Sequence, residues 1–202
     1  LLDKGQGRGI QVGTFHSFGL NFIRRELTAL GMKKGFSILD SDNILGILSD
    51  MMSASGEVDK ERAKAAQHRI SEWKNDLIKP SEAISHAKDE NDALFAHLYE
   101  KLQRYLKACN CVDFDDLIAL PTWLLESNEL IRIKWQNKIR HLLVDEYQDT
   151  NGAQYRFVRQ LVGPREALTV VGDDDQSIYA WRGARPENLF ELGKDYPNLT
   201  VV

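Results

Sequence analysis

The feature that most constrains this chain is a repeated pattern in which a short apolar run, rich in Leu or β-branched residues, is followed by a helical pattern. The runs are Ile10–Phe15, Leu142–Val144 and Leu168–Val171. They show little alternation, which suits strands buried on both faces of a parallel sheet covered by helices. After the first come Phe18, Phe22, Ile23, Leu27 and Leu30 at helical spacing, with Gly31 as a stop. After the second come Tyr155, Val158, Leu161 and Val162, stopped by Gly163 and Pro164. This alternation predicts an α/β fold built on a parallel sheet.

Between the first two runs lie roughly 120 residues with no convincing strand, too many for a loop. The stretch reads as helical. Asp40, Asp59, Asp92, Asp113 and Asn128 each precede an amphipathic segment and are expected to cap it, and Leu94, Leu98, Leu102 and Tyr105 form an apolar stripe. The expected organisation is a sheet domain of residues 1–35 and 140–202, interrupted by an all-α subdomain of residues 36–139.

An apolar content of 43% with 28% charged residues is ordinary for a soluble globular protein, and no apolar run approaches the ~20 residues that span a bilayer. A membrane partner is not expected. The net charge of −4 gives no bulk attraction for nucleic acid, so such a partner needs a local basic or aromatic surface. Cys109 and Cys111 are too close for an easy disulfide and too few for a zinc site, which suits free thiols in a reducing cytoplasm. The chain has no initiator Met, and Leu199 to Val202 read as a strand just beginning, so both ends are expected to be cuts in a longer protein.

The most specific segment runs from Leu142 to Asn151: a buried strand delivers Asp145 and Glu146 at its carboxyl end, where ligands of open α/β sheets bind. In a nucleotide-hydrolysing site the first acid holds Mg²⁺ and the second accepts a proton from the attacking water. The competing reading is a solvated acidic turn. A second segment, Thr169 to Ala184, again places polar groups after a buried strand. There Gln176 is suited to bond a γ-phosphate or the attacking water without adding negative charge. Tyr179, Trp181 and Arg182 suit base stacking with phosphate support, although aromatics of this kind also serve as core. The acids Asp173, Asp174 and Asp175 read as a turn in which only one or two act. In Val12–Gly19 a strand opens into a helix where Thr14, His16 and Ser17 can meet a phosphate, or simply cap the helix. Asp113-Phe114-Asp115-Asp116-Leu117 reads most simply as a helix start with acids favoured by the helix dipole.

Val144–Asn151, Val171–Ala184 and Thr14-Phe15-His16 resemble, in the correct order, three motifs of the UvrD and Rep family of superfamily 1 helicases. Trp73-Lys74-Asn75-Asp76-Leu77, Leu106–Asn110, Trp135–Arg140 and Gly183-Ala184-Arg185-Pro186 are similar to the Rep-like members of that family, and the likeness covers essentially the whole chain. The resemblance implies a partial RecA-like motor domain with an inserted helical subdomain, in a protein that uses ATP and Mg²⁺ to move 3′ to 5′ along single-stranded DNA and unwind duplex at junctions. It implies that Asp145 ligates Mg²⁺, Glu146 is the catalytic base and Gln176 senses the γ-phosphate. Tyr179 and Trp181 would stack on bases, with Thr14, His16 and Arg182 on or near DNA, and Asp113–Leu117 resembles a further motif near DNA.

The family also needs a Gly-x-x-x-x-Gly-Lys loop followed by Ser or Thr, which no stretch of the sequence supplies. The isolated chain is therefore expected to lack ATPase activity. Two alternatives stand beside the helicase reading: a subunit of a recombination helicase-nuclease, and a non-catalytic DNA or protein interaction module. The resemblance further implies that the three strands are contiguous and parallel, in the order Ile10–Phe15, Leu142–Val144, Leu168–Val171. The outer edge of the last is then expected to be covered by Leu199–Val202 or by a second copy of the chain.

Overall fold

Helices make up most of the molecule, with two small parallel sheets between them. The structure, a computed structural model, describes residues 9–53, 60–173, 175, 184–185 and 187–202. In chain order the elements are α1 (Phe15–Arg25), α2 (Leu27–Leu30), β1 (Ser37–Ile38), α3 (Ser41–Ser53), α4 (Lys60–Asn75), α5 (Glu90–Ala108), β2 (Cys111–Val112), α6 (Asp116–Ser127), α7 (Glu129–Lys138), β3 (Leu142–Val144), α8 (Gly152–Val162), β4 (Leu168–Val170) and α9 (Glu187–Asp195).

Two of the three expected strands form. β3 and β4 pair in parallel, Leu142 opposite Leu168 and Val144 opposite Val170, and the ladder continues through the bond from the Val171 amide to the Val144 carbonyl at 2.9 Å. The run Ile10–Phe15 does not form a strand. Ile10 is 59% exposed, Val12 is 95% exposed, and no ladder forms along residues 9–14; apolar β-formers become a strand only where a partner pairs with them. Phe15 instead opens α1, capped by Thr14, which accepts from the Ser17 amide at 3.2 Å. The sheet therefore holds two strands rather than three. Nor does Leu199–Val202 add a strand beside β4: Leu199 packs against the core below, while Val201 and Val202 are exposed and the outer edge of β4 is unpaired among the described residues.

The long middle stretch is helical as expected but holds one pairing that its sequence did not announce, β1 with β2 in parallel. Strands of two residues carry no periodicity to read. Asn128 caps α7 and Asp40 accepts from the Asn43 amide at 2.8 Å, whereas the cap of α5 is Asp89, not Asp92; Asp59 lies outside the described residues. Asp92 stands three residues inside the helix and pairs with Arg69 at 2.9 Å. On α5, Leu98, Leu102 and Leu106 are buried while Tyr105 is 44% exposed, so Leu106 completes the stripe in its place.

One core lies among α3, α4 and α5, around Leu48, Ile70, Trp73, Tyr99 and Leu102. A second gathers Phe22, Ile118, Leu125, Trp135 and Phe157 from α1, α6, α7 and α8. A third sits beneath β3 and β4 with Tyr147, Tyr155, Val158 and Leu192. Leu77 belongs to the second core although it lies only two residues beyond α4, and it reaches that core by taking a left-handed conformation at φ 58°. The Ile78 amide then bonds back to the Trp73 carbonyl at 2.8 Å, a helix ending normally assigned to Gly. For Leu that backbone costs about 1 kcal/mol, which burial of its side chain offsets. Among the described residues no helix is long and apolar enough to cross a membrane, and Cys109 and Cys111 are free thiols.

Candidate nucleotide-hydrolysis and DNA-facing site

Parallel pairing brings the carboxyl ends of β3 and β4 side by side. Asp145 and Glu146 follow β3 and are exposed at that edge, while Gly172 and Asp173 follow β4. The Tyr147 amide donates to the Val171 carbonyl at 3.0 Å, so the chain turns across the sheet end immediately after the acids. Glu146 makes the turn with φ 50°, a left-handed backbone uncommon for a side chain of its size. Its amide donates to Asp145 Oδ1 at 3.0 Å. Gln148 is buried and joins the two strand ends: its amide nitrogen donates to Glu146 Oε2 at 2.6 Å, and its oxygen accepts from the Asp173 amide at 3.0 Å. That approach needs Gly172, since a Cβ there would stand 2.8 Å from the Gln148 side-chain oxygen. Beside Glu146, Asp149 is pushed above the usual carboxylate range by burial and then by the Glu146 charge.

The segment beyond is closed by a second set of bonds. Asn151 caps α8 reciprocally with Gln154, the Arg185 amide donates to the Thr150 carbonyl at 2.9 Å, and the Asn188 side chain donates to both oxygens of Thr150 at 3.0 Å. Segments from either side of Gln176 thus converge on the turn that carries the acids.

A second cluster lies at the start of α1 and α6. His16 and Phe114 face one another with ring centroids 5.7 Å apart, and Phe114 is 57% exposed. Burial lowers the His16 pKa, favouring the neutral ring. Below Phe114 the acids turn inward. Asp113 and Asp116 bind Lys74 Nζ at 2.6 and 2.8 Å in a pocket where the lysine has no solvent exposure. Burial alone would lower the Lys74 pKa, but Asp113 and Asp116 overcome it and hold the ammonium charged. Burial, then Asp113, raises Asp115; Lys74 and hydrogen bonds from Ser71 and Asn75 oppose that rise.

The family model described as UvrD/REP helicase N-terminal domain matches residues 1–197. The chain belongs to that family. It is 53% identical over 201 residues to ATP-dependent DNA helicase Rep of Escherichia coli, covering all of this chain and 30% of the relative. It is 52% identical to the Rep helicase of Salmonella typhimurium over the same span, and 37% identical over 206 residues to ATP-dependent DNA helicase PcrA of Leuconostoc citreum, of which it covers 27%. The chain thus spans under a third of the length of these family members.

Against the residues singled out in the sequence, the structure brings Asp145 and Glu146 to one sheet edge and places Thr14 and His16 at the start of α1. Gln176, Tyr179, Trp181 and Arg182 lie outside the described residues, as does Asp174. The side chains of Thr14 and Ser17 are engaged in capping, with the Ser17 hydroxyl donating to the Thr14 carbonyl at 2.8 Å. Sequence reasoning gave no role to Gln148 or Asn75, whose partners Asp173 and Asn151 lie far along the chain; Asp113 accepts from the Asp116 amide at 2.9 Å, as its reading as a helix cap expects, but that reading did not foresee that Asp113 and Asp116 also bind Lys74. A Lys flanked by Trp73 and Asn75 within an amphipathic helix gave the only signal of that burial.

Proposed function

We propose that this chain is part of an ATP-dependent 3′ to 5′ DNA helicase, carrying the metal-and-water half of its ATPase site. What supports the reading most is Gln148, which ties Glu146 to the end of the neighbouring strand and so holds the acid pair at the sheet edge where a triphosphate would lie. On this reading residues 1–35 and 140–202 form part of a RecA-like motor and residues 36–139 its accessory insertion.

The residues fit the expected cofactors. Asp145 offers one exposed carboxylate, and Mg²⁺ is commonly held by one or two carboxylates together with substrate phosphates and water. Bound Mg²⁺ would neutralise charge on the triphosphate. Glu146, held by Gln148, takes the proton of the attacking water, and Gln176 reports the γ-phosphate. Single-stranded DNA and duplex junctions are the substrates, with Tyr179 and Trp181 stacking on bases and Thr14, His16 and Arg182 alongside, and the cytoplasm is the place of action. The relatives named above are helicases, which favours this reading over a nuclease subunit or a non-catalytic module. A second copy of the chain pairing along the open β4 edge is a further proposal, which light scattering across concentration would test.

The deciding experiment uses the full-length protein with duplexes bearing a 3′ or a 5′ single-stranded tail. ATP-dependent unwinding of the 3′-tailed substrate, with hydrolysis raised by single-stranded DNA, is expected. Absence of nucleotide hydrolysis, or preference for the 5′ tail, overturns the reading.

A further inference from the structure

The phrase Trp73-Lys74-Asn75-Asp76-Leu77 has no part in nucleotide or DNA binding as described, yet the end of α4 touches both halves of the site. Asn75 Oδ1 accepts from Asn151 Nδ2 at 2.6 Å, while its own amide donates to the Ser71 carbonyl at 2.9 Å, and the preceding Lys74 holds Asp113 and Asp116 on either side of Asp115. Asp115 adjoins the exposed Phe114, and Asn151 follows Thr150, to which Arg185 and Asn188 are bonded. One residue on, Asp76 Oδ1 pairs with Arg185 Nη2 at 2.6 Å. The contact is close: a Cβ on Gly152 would stand 3.2 Å from the Asn75 carbonyl. Lys74 anchors the same helix end to Asp113 and Asp116, and Leu77 fixes it from the far side by its strained entry into the second core.

We propose that Asn75, supported by Asp76 and carried on the helix end that Lys74 ties to Asp113 and Asp116, is a positioning residue that joins the Phe114–Asp115 turn to the segment bearing Asp145 and Glu146, so that strand occupancy at the first alters hydrolysis at the second. The inference rests on the helicase reading. It gives the end of α4 a task that a merely structural helix end would lack: consecutive residues bonded to different segments, Lys74 to Asp113 and Asp116 and Asn75 to Asn151.

The test uses the full-length helicase with Asn75→Ala, Asn151→Asp and the two combined. Asn151→Asp keeps the oxygen that caps α8 but removes the amide that donates to Asn75. Each single change is expected to lower the DNA-stimulated kcat about 2- to 30-fold, with affinity for single-stranded DNA, the DNA-free hydrolysis rate and the melting temperature nearly unchanged. The double variant should lose no more than the worse single variant, since both break one connection. As a second arm, Asp76→Arg and Arg185→Asp should each weaken stimulation and restore it when combined, because that pair is half exposed and its exchange leaves the fold intact. Equal falls in DNA-free and DNA-stimulated rates, additive losses, or failure of the exchanged pair overturn the proposal. A wild type stimulated by DNA whose Asn75→Ala variant behaves identically sinks this inference alone, whereas a wild type that DNA does not stimulate removes the helicase reading with it.

Discussion

Glu146 holds a left-handed backbone that costs a non-glycine residue about 1–3 kcal/mol, and such strain persists only where the surroundings enforce it. Here the enforcing groups are Gln148 on its carboxylate and the Tyr147 amide on the neighbouring strand. A base held this way should be lost without disturbing ligand binding. In the full-length protein, Glu146→Gln is expected to lower hydrolysis by about 10² to 10⁴ with Mg·ATP affinity nearly intact. Asp145→Asn should instead weaken metal-dependent nucleotide binding. Steady-state rates with titration of Mg·ATP distinguish the two, and equal small effects would restore the acidic-turn reading.

Asp116 makes a second residue-level statement, about pH. Burial and then Asp113 push its carboxyl up to about 6, against the pull of Lys74. The folded chain thus binds this proton more tightly than the unfolded chain, where Asp titrates near 4. The stability it contributes is full below about pH 4 and is lost as pH rises to about 6. Relative to Asp116→Asn, the wild-type chain should lose unfolding free energy as pH rises between those limits, measured by urea denaturation at each pH. A difference between the two proteins that stays flat with pH would rule this out.

At the scale of elements, α1 and α6 meet backbone to backbone at Gly19. A Cβ there would come within 1.9 Å of the Leu117 carbonyl oxygen, which rigid backbone cannot avoid by a side-chain rotation. Gly19→Ala should force the helices apart and destabilise the chain by about 1–3 kcal/mol, the usual cost of overpacking. Since α1 begins at the His16 side of the His16–Phe114 pair and α6 at the other, the same change should weaken single-stranded DNA binding in the full-length protein. Thermal melting and fluorescence anisotropy test both effects. Unchanged melting would show that the helices can slide at no cost.

For the whole molecule, the 202 residues include the acid pair but no phosphate-cradling Gly-rich loop with its Lys. Without those amides and that charge a triphosphate is poorly neutralised. Phosphate release by this chain alone should be undetectable, and calorimetry should find only weak Mg·ATP binding. Turnover at the rate of a complete motor would show that other groups do this work.

The sequence determined what depends on near neighbours. Its apolar runs marked β3, β4 and their helices because a buried strand and an amphipathic helix each impress a period on the residues that form them. Asp145 and Glu146 were legible because strand termination alone puts them at a sheet edge, and family membership was legible from long ordered phrases. The tertiary structure decided the rest. Ile10–Phe15 has the composition of a strand but no ladder, Leu77 adopts a glycine-like backbone because a second core receives its side chain, and Lys74 is buried because Asp113 and Asp116 arrive from some 40 residues away in sequence. Gln148 and Asn75 gained their partners in the same way. Hydrogen bonds between distant segments leave no period in the chain, and whether a polar residue faces water or another polar residue is settled only when the cores close around it.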